Sequence, residues 1–242
     1  MGELHMALPT TRQLLRRHAF TFAVAFVALS TVMLYPFASR QLMPLSARGA
    51  SPAVIAQAAL LALPFISAMT IPMAVLLSVL YEFTRLGANG TLDAARLVRD
   101  GVRRLVVPVV AAATGITLLA FVVTAEIVPR ANARLANVLS GSTTPAGDRS
   151  MTIGALREAA KNVEAYGEPN GRSRAASYQI EIQKKLALPA ACLLLAMAGM
   201  ALAFRMPRGG VALVIGGSLV CFGAYYGLLM TGEVLADRLL AV

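Results

Sequence analysis

The sequence predicts an all-α protein that crosses a membrane about five times. Of the 242 residues, 57% are hydrophobic and the mean hydropathy is +0.68, far above what a soluble domain needs to cover its core. Five stretches contain no charged residue, and each can cross about 30 Å of hydrocarbon as a tilted helix. No strand pattern or internal repeat stands out. The predicted class is therefore a polytopic helical membrane protein.

The uncharged stretches set the order of the predicted spans. They are residues 18–39, 49–81, 105–125, 186–204 and 209–232. No small-residue cleavage site follows the first stretch, so we expect a retained span and not a cleaved signal. The second stretch is longer than one crossing needs and contains three prolines. We therefore expect it to begin as an interfacial segment and to continue as a kinked helix.

A polar region, residues 126–185, separates the third span from the fourth. Thr152 is a candidate N-cap for a helix over residues 153–166, and Gly167 and Pro169 predict its end. The flanking stretches 140–150 and 167–177 have the composition of turns and loops. The predicted parts are residues 1–125 with three spans, residues 126–185 as a short insertion, and residues 186–242 with two spans.

Residues 82–104 form a short polar segment between two very apolar stretches. Gly87 and Gly90 interrupt the second span, and Thr91 can then cap a helix that runs to about Arg104. Within this helix three arginines recur at spacings of three and four residues, so the pattern predicts an arginine stripe on one face, beside an apolar face. Such a helix would lie along the membrane surface. Two interpretations remain open: a connector anchored to lipid phosphates, or a coupling helix that docks a partner.

Several function classes lack their characteristic residues. The net charge of +10 comes from basic residues that bracket the apolar stretches, which favours lipid phosphates over nucleic acid as the partner. HExxH, GxSxG and CxxC motifs are absent, so we predict no catalytic residue, no metal site and no cofactor. None of the three lysines belongs to a phosphate-binding GxxxxGK[ST] loop, so any ATP hydrolysis must occur on another polypeptide.

Four segments, taken in order, point to a known family. They are "EFTRLGANG" (82–90), "EIVPRANARL" (126–135), "MTIGALREA" (151–159) and "EIQKKLALPAACLLLAMAGMALAFRMPRGG" (181–210). They resemble the coupling segment, the end of helix three, the segment before helix four and helix four itself of the LptF/LptG-type permeases. These permeases extract lipopolysaccharide from the bacterial inner membrane.

The resemblance implies a multi-pass permease subunit of the bacterial inner membrane that exports lipopolysaccharide or a related lipid. Such a subunit pairs with a second permease and binds a cytoplasmic ABC-type ATPase. The resemblance places residues 82–104 in the cytoplasm and residues 126–185 in the periplasm. The chain departs from the family pattern in two places, and we expect a short form without the periplasmic jelly-roll and the sixth helix of the family. The alternative is a permease-derived scaffold subunit of another membrane complex, with no transport activity of its own.

Three groups of candidate site residues follow. The matching segment implies ATPase contacts by Glu82, Thr84, Arg85, Leu86, Arg96, Arg99 and Arg103. Charged residues near the outer ends of the spans are candidate lipid-headgroup contacts, with simple interfacial anchoring as the alternative: Arg40, Arg48, Glu126 and Arg130. Small residues in the last span predict a close helix–helix interface with another permease subunit: Gly216, Gly217, Gly223 and Gly227.

Overall fold

The computed structural model describes residues 9–140, 147–165 and 171–240, and this part of the chain is helical without a strand. Its α-helices, in order, are α1 (Thr11–Phe37), α2 (Met43–Ala47), α3 (Pro52–Ala88), α4 (Thr91–Leu97), α5 (Gly101–Val122), α6 (Val128–Ser140), α7 (Ile153–Ala165), α8 (Gly171–Arg205) and α9 (Gly210–Leu240). π-Helical turns at Ala38–Leu42 and Val123–Ile127 join α1 to α2 and α5 to α6, and a 3₁₀ turn spans Asp148–Ser150.

Five helical segments of the described chain are long and apolar enough to cross a membrane. They are Thr11–Ala47, Pro52–Ala88, Gly101–Ser140, Arg174–Arg205 and Gly210–Gly232. These segments overlap the five predicted stretches in the same order, so the all-α, five-span prediction is confirmed. The helices extend beyond the uncharged stretches because helix geometry does not stop where the apolar composition ends.

The start of the second span differs from the prediction. We expected an interfacial segment before the helix, but α3 runs without a break from Pro52 to Ala88. The kink expected within this helix stays a prediction. Ser51 caps it, because its Oγ accepts a hydrogen bond from the N–H of Val54 at 3.4 Å. Pro52 occupies the first helical position, where a missing N–H removes no hydrogen bond of the helix. The short interfacial-type helix α2 instead follows the first span.

The polar region between the third and fourth spans is more helical than predicted. Thr152 caps α7 as expected, since its Oγ1 accepts a hydrogen bond from the N–H of Ala155 at 3.3 Å. The predicted end of this helix, at Gly167 and Pro169, lies outside the described residues. The prediction of a loop over residues 167–177 is wrong from Gly171 onward, because α8 begins there. Ala175 and Ile182 are buried on α8, so packing outweighs local composition in this stretch.

The described chain divides into two compact units, and the long helices contribute residues to both. Unit 1 contains the residues up to Leu29, Ile71–Thr117 and Ala191–Ala224, and unit 2 contains Ser30–Thr70, Leu118–Ala190 and the residues from Tyr225. The core of unit 1 joins apolar side chains of α1, α3, α4, α5, α8 and α9. Gly199 brings α8 close to α3, because a Cβ at this position would lie 3.1 Å from Leu76 Cδ1.

Unit 2 holds its helices together partly by polar contacts. The hydroxyls of Ser30 on α1 and Thr70 on α3 are 3.1 Å apart, and Thr70 is fully buried. The hydroxyl of Tyr225 on α9 donates to the carbonyl of Ala187 on α8 at 3.4 Å. Such hydrogen bonds between spans fix which faces of the helices meet, since apolar side chains gain little specificity from lipid exclusion.

Candidate functional site

The chain changes direction twice within the segment 82–104 of unit 1. α3 ends at Ala88, α4 occupies Thr91–Leu97, and α5 begins at Gly101. The predicted single helix from Thr91 to Arg104 is therefore wrong. Gly90, with φ 73°, stands at the cap position of α4, so Thr91 is its first residue and not its cap. Glycine adopts this left-handed conformation without steric cost.

The break between α4 and α5 has a local steric cause. Val98 is extended, with φ −100° and ψ 134°, and Asp100 is left-handed, with φ 62°. Gly101 is buried so close to the backbone of Ala95 that a Cβ would overlap the Ala95 carbonyl. This close return of the chain requires glycine, and it ends α4 before the apolar span of α5 starts.

The arginine stripe predicted for one helix does not exist in this form. Arg96 lies on α4, Arg99 in the turn, and Arg103 in the first turn of α5. All three are exposed, as is Arg85 near the end of α3. Arg103 also lines an open depression of about 610 Å³ together with Arg104 and with Thr10 and Thr11 at the start of α1. The arginines thus belong to one surface turn and not to one helical face.

Arg96 attaches α4 to the end of α8. Its Nη2 donates to the carbonyl of Phe204 at 2.9 Å, and its guanidinium lies 6.0 Å from the centre of the Phe204 ring. Asp93, three residues earlier on α4, pairs with Nη1 at 3.4 Å. The last carbonyls of a helix have no partner inside the helix, so Arg96 satisfies one that α8 leaves open.

Apolar residues of α4 and its C-cap are buried on one side and exposed on the other. Leu92 and Ala95 are fully buried in the core of unit 1. On the outer side Leu97 is 89% exposed and Val98 is 50% exposed, directly beside Arg99. Exposed apolar side chains flanked by arginines are typical of surfaces that bind another protein. We refer to Arg85, Leu97, Val98, Arg99 and Arg103 as the docking surface.

Glu82 is buried inside unit 1. It is 2% exposed, and its Oε1 accepts a hydrogen bond from Thr21 Oγ1 of α1 at 2.7 Å. Thr84 and Leu86 are buried as well, and Thr84 Oγ1 has no hydrogen-bond partner within the described residues. Of the residues that the resemblance assigns to ATPase contact, these three therefore face the protein's own core. The remaining four, Arg85, Arg96, Arg99 and Arg103, reach the surface.

Three further residues of this region were not singled out from the sequence. Thr21 has no local signal, because its partner Glu82 is 61 residues away. Phe204 contacts the ring of Phe83, with 5.5 Å between the ring centres. Pro207 abuts Gly87, where a Cβ would lie only 2.8 Å from Pro207 Cβ. Phe204 and Pro207 both belong to the motif at residues 181–210, but only the structure shows what they contact.

The candidate lipid contacts fall into two sets. Arg40, in the π turn after α1, and Arg48, after α2, are exposed and form no ion pair within the described chain. Arg130 donates to Glu126 at 2.7 Å, one helical turn away, and both are exposed. The structure thus brings Glu126 and Arg130 together, and each compensates the charge of the other. Headgroup contact by these four residues stays a prediction.

The four glycines of α9 that were predicted to form an interface differ in their surroundings. A Cβ on Gly217 would lie 2.6 Å from Leu202 Cδ2, so this glycine contacts α8 of the same chain. The corresponding positions on Gly216, Gly223 and Gly227 have no atom of the described residues within 4 Å. Of the four, these three are therefore available for an interface with another subunit, which stays a prediction. No group of three or more histidine, cysteine or acidic side chains in the described residues could hold a metal ion.

The fold and this site define a multi-pass α-helical membrane protein in which a short surface helix is attached to the ends of the spanning helices. The chain belongs to the family of the lipopolysaccharide export system permease LptF/LptG, whose family model matches residues 12–144 and 140–242. The family predicted from the four segments is thereby confirmed. No curated protein matches the chain.

Proposed function

We propose that the chain is a permease subunit of an ATPase-driven complex that exports lipopolysaccharide or a related lipid from the bacterial inner membrane. Membership of the LptF/LptG family supports the transport role at the level of the family. The observation that supports coupling in this chain is the attachment of α4: the helix nearest the docking surface is bound to α8 through Arg96. A partner that moves α4 therefore acts directly on a membrane span.

The proposed coupling route has three steps. From α4, the Arg96 guanidinium contacts the Phe204 carbonyl of α8 at 2.9 Å. The Phe204 ring then contacts Phe83 of α3, and the residue before Phe83, Glu82, binds Thr21 of α1 at 2.7 Å. These contacts form one continuous physical path from the docking surface to three spans, which is what transmission of a displacement requires. In this proposal Glu82 transmits motion and does not touch the ATPase.

The partner that suits the docking surface is the cytoplasmic ABC-type ATPase, with residues 82–104 on the cytoplasmic side. Leu97 supplies an apolar anchor, and the arginines around it favour an acidic groove on the partner. The family resemblance supports the same orientation. A second permease subunit would complete the complex by packing on the exposed glycines of α9.

A scaffold subunit without transport activity is the second candidate function. Only residues 141–152 connect α6 to α7, so the chain holds no lipid-receiving domain at this point. In the transport proposal that domain is on the partner permease, whereas a scaffold would need none. The two functions differ in whether an ATPase accompanies the chain.

The deciding experiment is affinity purification from the native membrane with identification of the co-purifying chains. The triple variant Leu97→Ser, Arg99→Ala, Arg103→Ala removes the anchor and two charges of the docking surface. We expect at least a tenfold loss of ATPase recovery, since truncation of charged groups in a buried contact costs about 2–5 kcal/mol. The matched control is Arg134→Ala, Lys161→Ala, two exposed basic residues of α6 and α7.

The possible outcomes separate the proposals. If the triple variant loses the ATPase and the control variant retains it, the result supports docking at α4. An equal loss with the control would show a general effect of surface charge and would contradict a specific docking surface. Recovery of the unaltered chain with an unrelated complex and no ATPase would establish the scaffold function instead.

A further inference from the structure

The open depression of about 610 Å³ in unit 1 lies between the start of α1 and the start of α5. Its wall includes Thr11 at the start of α1, Asp100 just before α5, and two arginines in the first turn of α5, Arg103 and Arg104. A water molecule needs roughly 15 Å³ of such space, so the depression has room for a lipid headgroup.

The charged residues of the depression leave one net positive charge, because Asp100 is the single carboxylate beside two arginines. Neither Arg103 nor Arg104 forms an ion pair with Asp100 or with another residue of the described chain. A guanidinium presents its N–H donors in a planar fork that fits two oxygens of a phosphate. Two neighbouring forks are therefore available to an anion that carries several oxygens.

The start of α1 adds further donors at the same place. The first N–H groups of a helix have no acceptor within the helix, and its N-terminus carries a partial positive charge. Thr10 Oγ1 accepts a hydrogen bond from the N–H of Gln13 at 3.4 Å, which leaves the N–H groups of Thr11 and Arg12 without an acceptor in α1. Helix N-termini bind phosphate groups, and this one shares a depression with two arginines.

Apolar residues follow the arginines along α5. Val107 lies one helical turn after Arg103 on the same face of the helix, and both line the depression. Pro108 follows Arg104 in the same way. The uncharged stretch 105–125 begins directly after these arginines, so they lie at the depth where the hydrocarbon meets the lipid headgroups. The phosphate-bearing molecules at this depth are the lipids of the bilayer.

We propose that the depression binds the phosphate of one anionic membrane lipid. Arg103 and Arg104 donate to the phosphate oxygens, the N–H groups at the start of α1 donate to the same phosphate, and Val107 contacts the first carbons of the lipid. Arg103 also belongs to the docking surface, so the bound lipid borders that surface. The inference does not rest on the proposed export function, because it requires neither an ATPase nor a second permease.

The test measures lipid binding to the full chain by native mass spectrometry from a non-ionic detergent. The probe is dioctanoylphosphatidic acid, and the comparison ligand is dioctanoylglycerol, which lacks the phosphate. We expect one phosphatidic acid to bind at least about tenfold more tightly than dioctanoylglycerol, because charge-assisted hydrogen bonds to phosphate are stronger than neutral ones. Inorganic phosphate, at the same concentration as the lipid, should not displace it, since it lacks the carbons that contact Val107.

Variants that remove favourable contacts locate the lipid. Arg104→Met, which leaves the docking surface intact, should weaken the binding of phosphatidic acid by about fivefold or more. Val107→Trp keeps every charge and fills part of the depression, so it should weaken binding as well. The matched control is Arg208→Met, which removes an exposed arginine of the same unit outside the depression and should change the affinity by less than about twofold.

A variant that removes the carboxylate should have the opposite effect. Asp100→Asn should tighten phosphatidic acid binding by about two- to threefold, because it removes a negative charge beside the phosphate. Asparagine tolerates the left-handed backbone of this residue, φ 62°, so the turn is kept. Asp93→Asn removes an equal charge from α4, outside the depression, and should leave the affinity unchanged.

Several results would overturn the inference. Equal weakening by Arg208→Met and Arg104→Met, or equal tightening by Asp93→Asn and Asp100→Asn, would assign the binding to diffuse surface charge. Unchanged binding in both Arg104→Met and Val107→Trp would place the lipid elsewhere. Equal affinity for dioctanoylglycerol would show that the phosphate is not recognised. Displacement by equimolar inorganic phosphate would make the depression a site for free anions and not for a lipid.

Discussion

The carboxylate of Glu82 is almost fully buried, and Thr21 Oγ1 donates a hydrogen bond to it at 2.7 Å. A buried carboxylate that loses such a donor keeps its desolvation cost without the compensating bond. Together with the hydrogen bond between Ser30 and Thr70, this contact joins α1 to the core helix α3. In the proposed coupling route it is the last step.

Replacing Thr21, the hydrogen-bond donor to Glu82, tests how much this contact contributes to stability. Thr21→Val should lower the free energy of unfolding by about 1–3 kcal/mol, because hydrogen bonds to charged groups are worth more than neutral ones. Thr21→Ser keeps a hydroxyl and should restore most of the loss. Stability is measured as the midpoint of thermal unfolding in detergent. Unfolding is monitored by the reaction of a thiol dye with Cys192, which is buried in the folded chain.

Thr114→Val provides the control, since within the described residues the exposed Thr114 hydroxyl bonds only to the Val110 carbonyl of its own helix. We expect the free energy of unfolding to change by no more than about 0.5 kcal/mol for this surface substitution. If Thr21→Val and Thr114→Val unfold at the same midpoint, the bond to Glu82 contributes nothing beyond a generic hydroxyl, and the last step of the coupling route is lost.

At the scale of elements, α4 exists as a separate helix because the chain turns back after it, and Gly101 packs against the backbone of Ala95. A Cβ there would overlap the Ala95 carbonyl, whereas Gly115 on the same helix α5 has nothing within 4 Å of its Cβ position. Gly101→Ala should therefore destabilise the protein by about 1–3 kcal/mol, as other overpacked substitutions do. Gly115→Ala should be neutral or stabilise by up to about 1 kcal/mol, since alanine favours the helix.

Hydrogen–deuterium exchange tests where the Gly101→Ala effect arises. Amides of α4 should exchange faster in Gly101→Ala, because the turn that holds α4 against the core is displaced. The amides of α7, in unit 2, should exchange at unchanged rates in the same sample. Uniform acceleration along the whole chain would mean that Gly101 supports the fold in general and does not specifically position α4.

At the scale of the whole molecule, one of the four predicted interface glycines of α9 contacts its own chain and the other three have open Cβ positions among the described residues. Gly223→Leu should leave the chain stable, because its Cβ position is open, but should reduce recovery of a second permease subunit. Gly217→Leu should instead lower the stability of the chain itself, since a Cβ there would lie 2.6 Å from Leu202 Cδ2.

The two substitutions are compared at matched expression by co-purification from native membranes and by thermal unfolding of the isolated chain. We expect Gly223→Leu to reduce the recovery of the second permease without lowering the unfolding midpoint. We expect Gly217→Leu to lower the unfolding midpoint. A second permease recovered equally with the Gly223→Leu variant and the unaltered chain would rule out the outward glycines as the interface.

The four motif segments and the five uncharged stretches suffice to predict the family and the number of spans. Both depend on local sequence: a helix of sufficient apolar length must cross the hydrocarbon, whatever its neighbours are. The cap at Thr152 was predicted for the same reason, since it involves residues only three positions apart. The course of residues 82–104 was predicted only in part, because helical spacing of arginines does not reveal a backbone that turns back at Gly101.

The sequence by itself therefore determined the membrane class, the order of the spans and the family, because these follow from composition and short motifs. Only the tertiary structure decided that Glu82 binds Thr21, that Arg96 binds the end of α8, and that Arg104 and Thr11 line one depression. Each of these depends on side chains tens of residues apart in the chain. Their contact is set by how the helices pack, and no local pattern of residues encodes it.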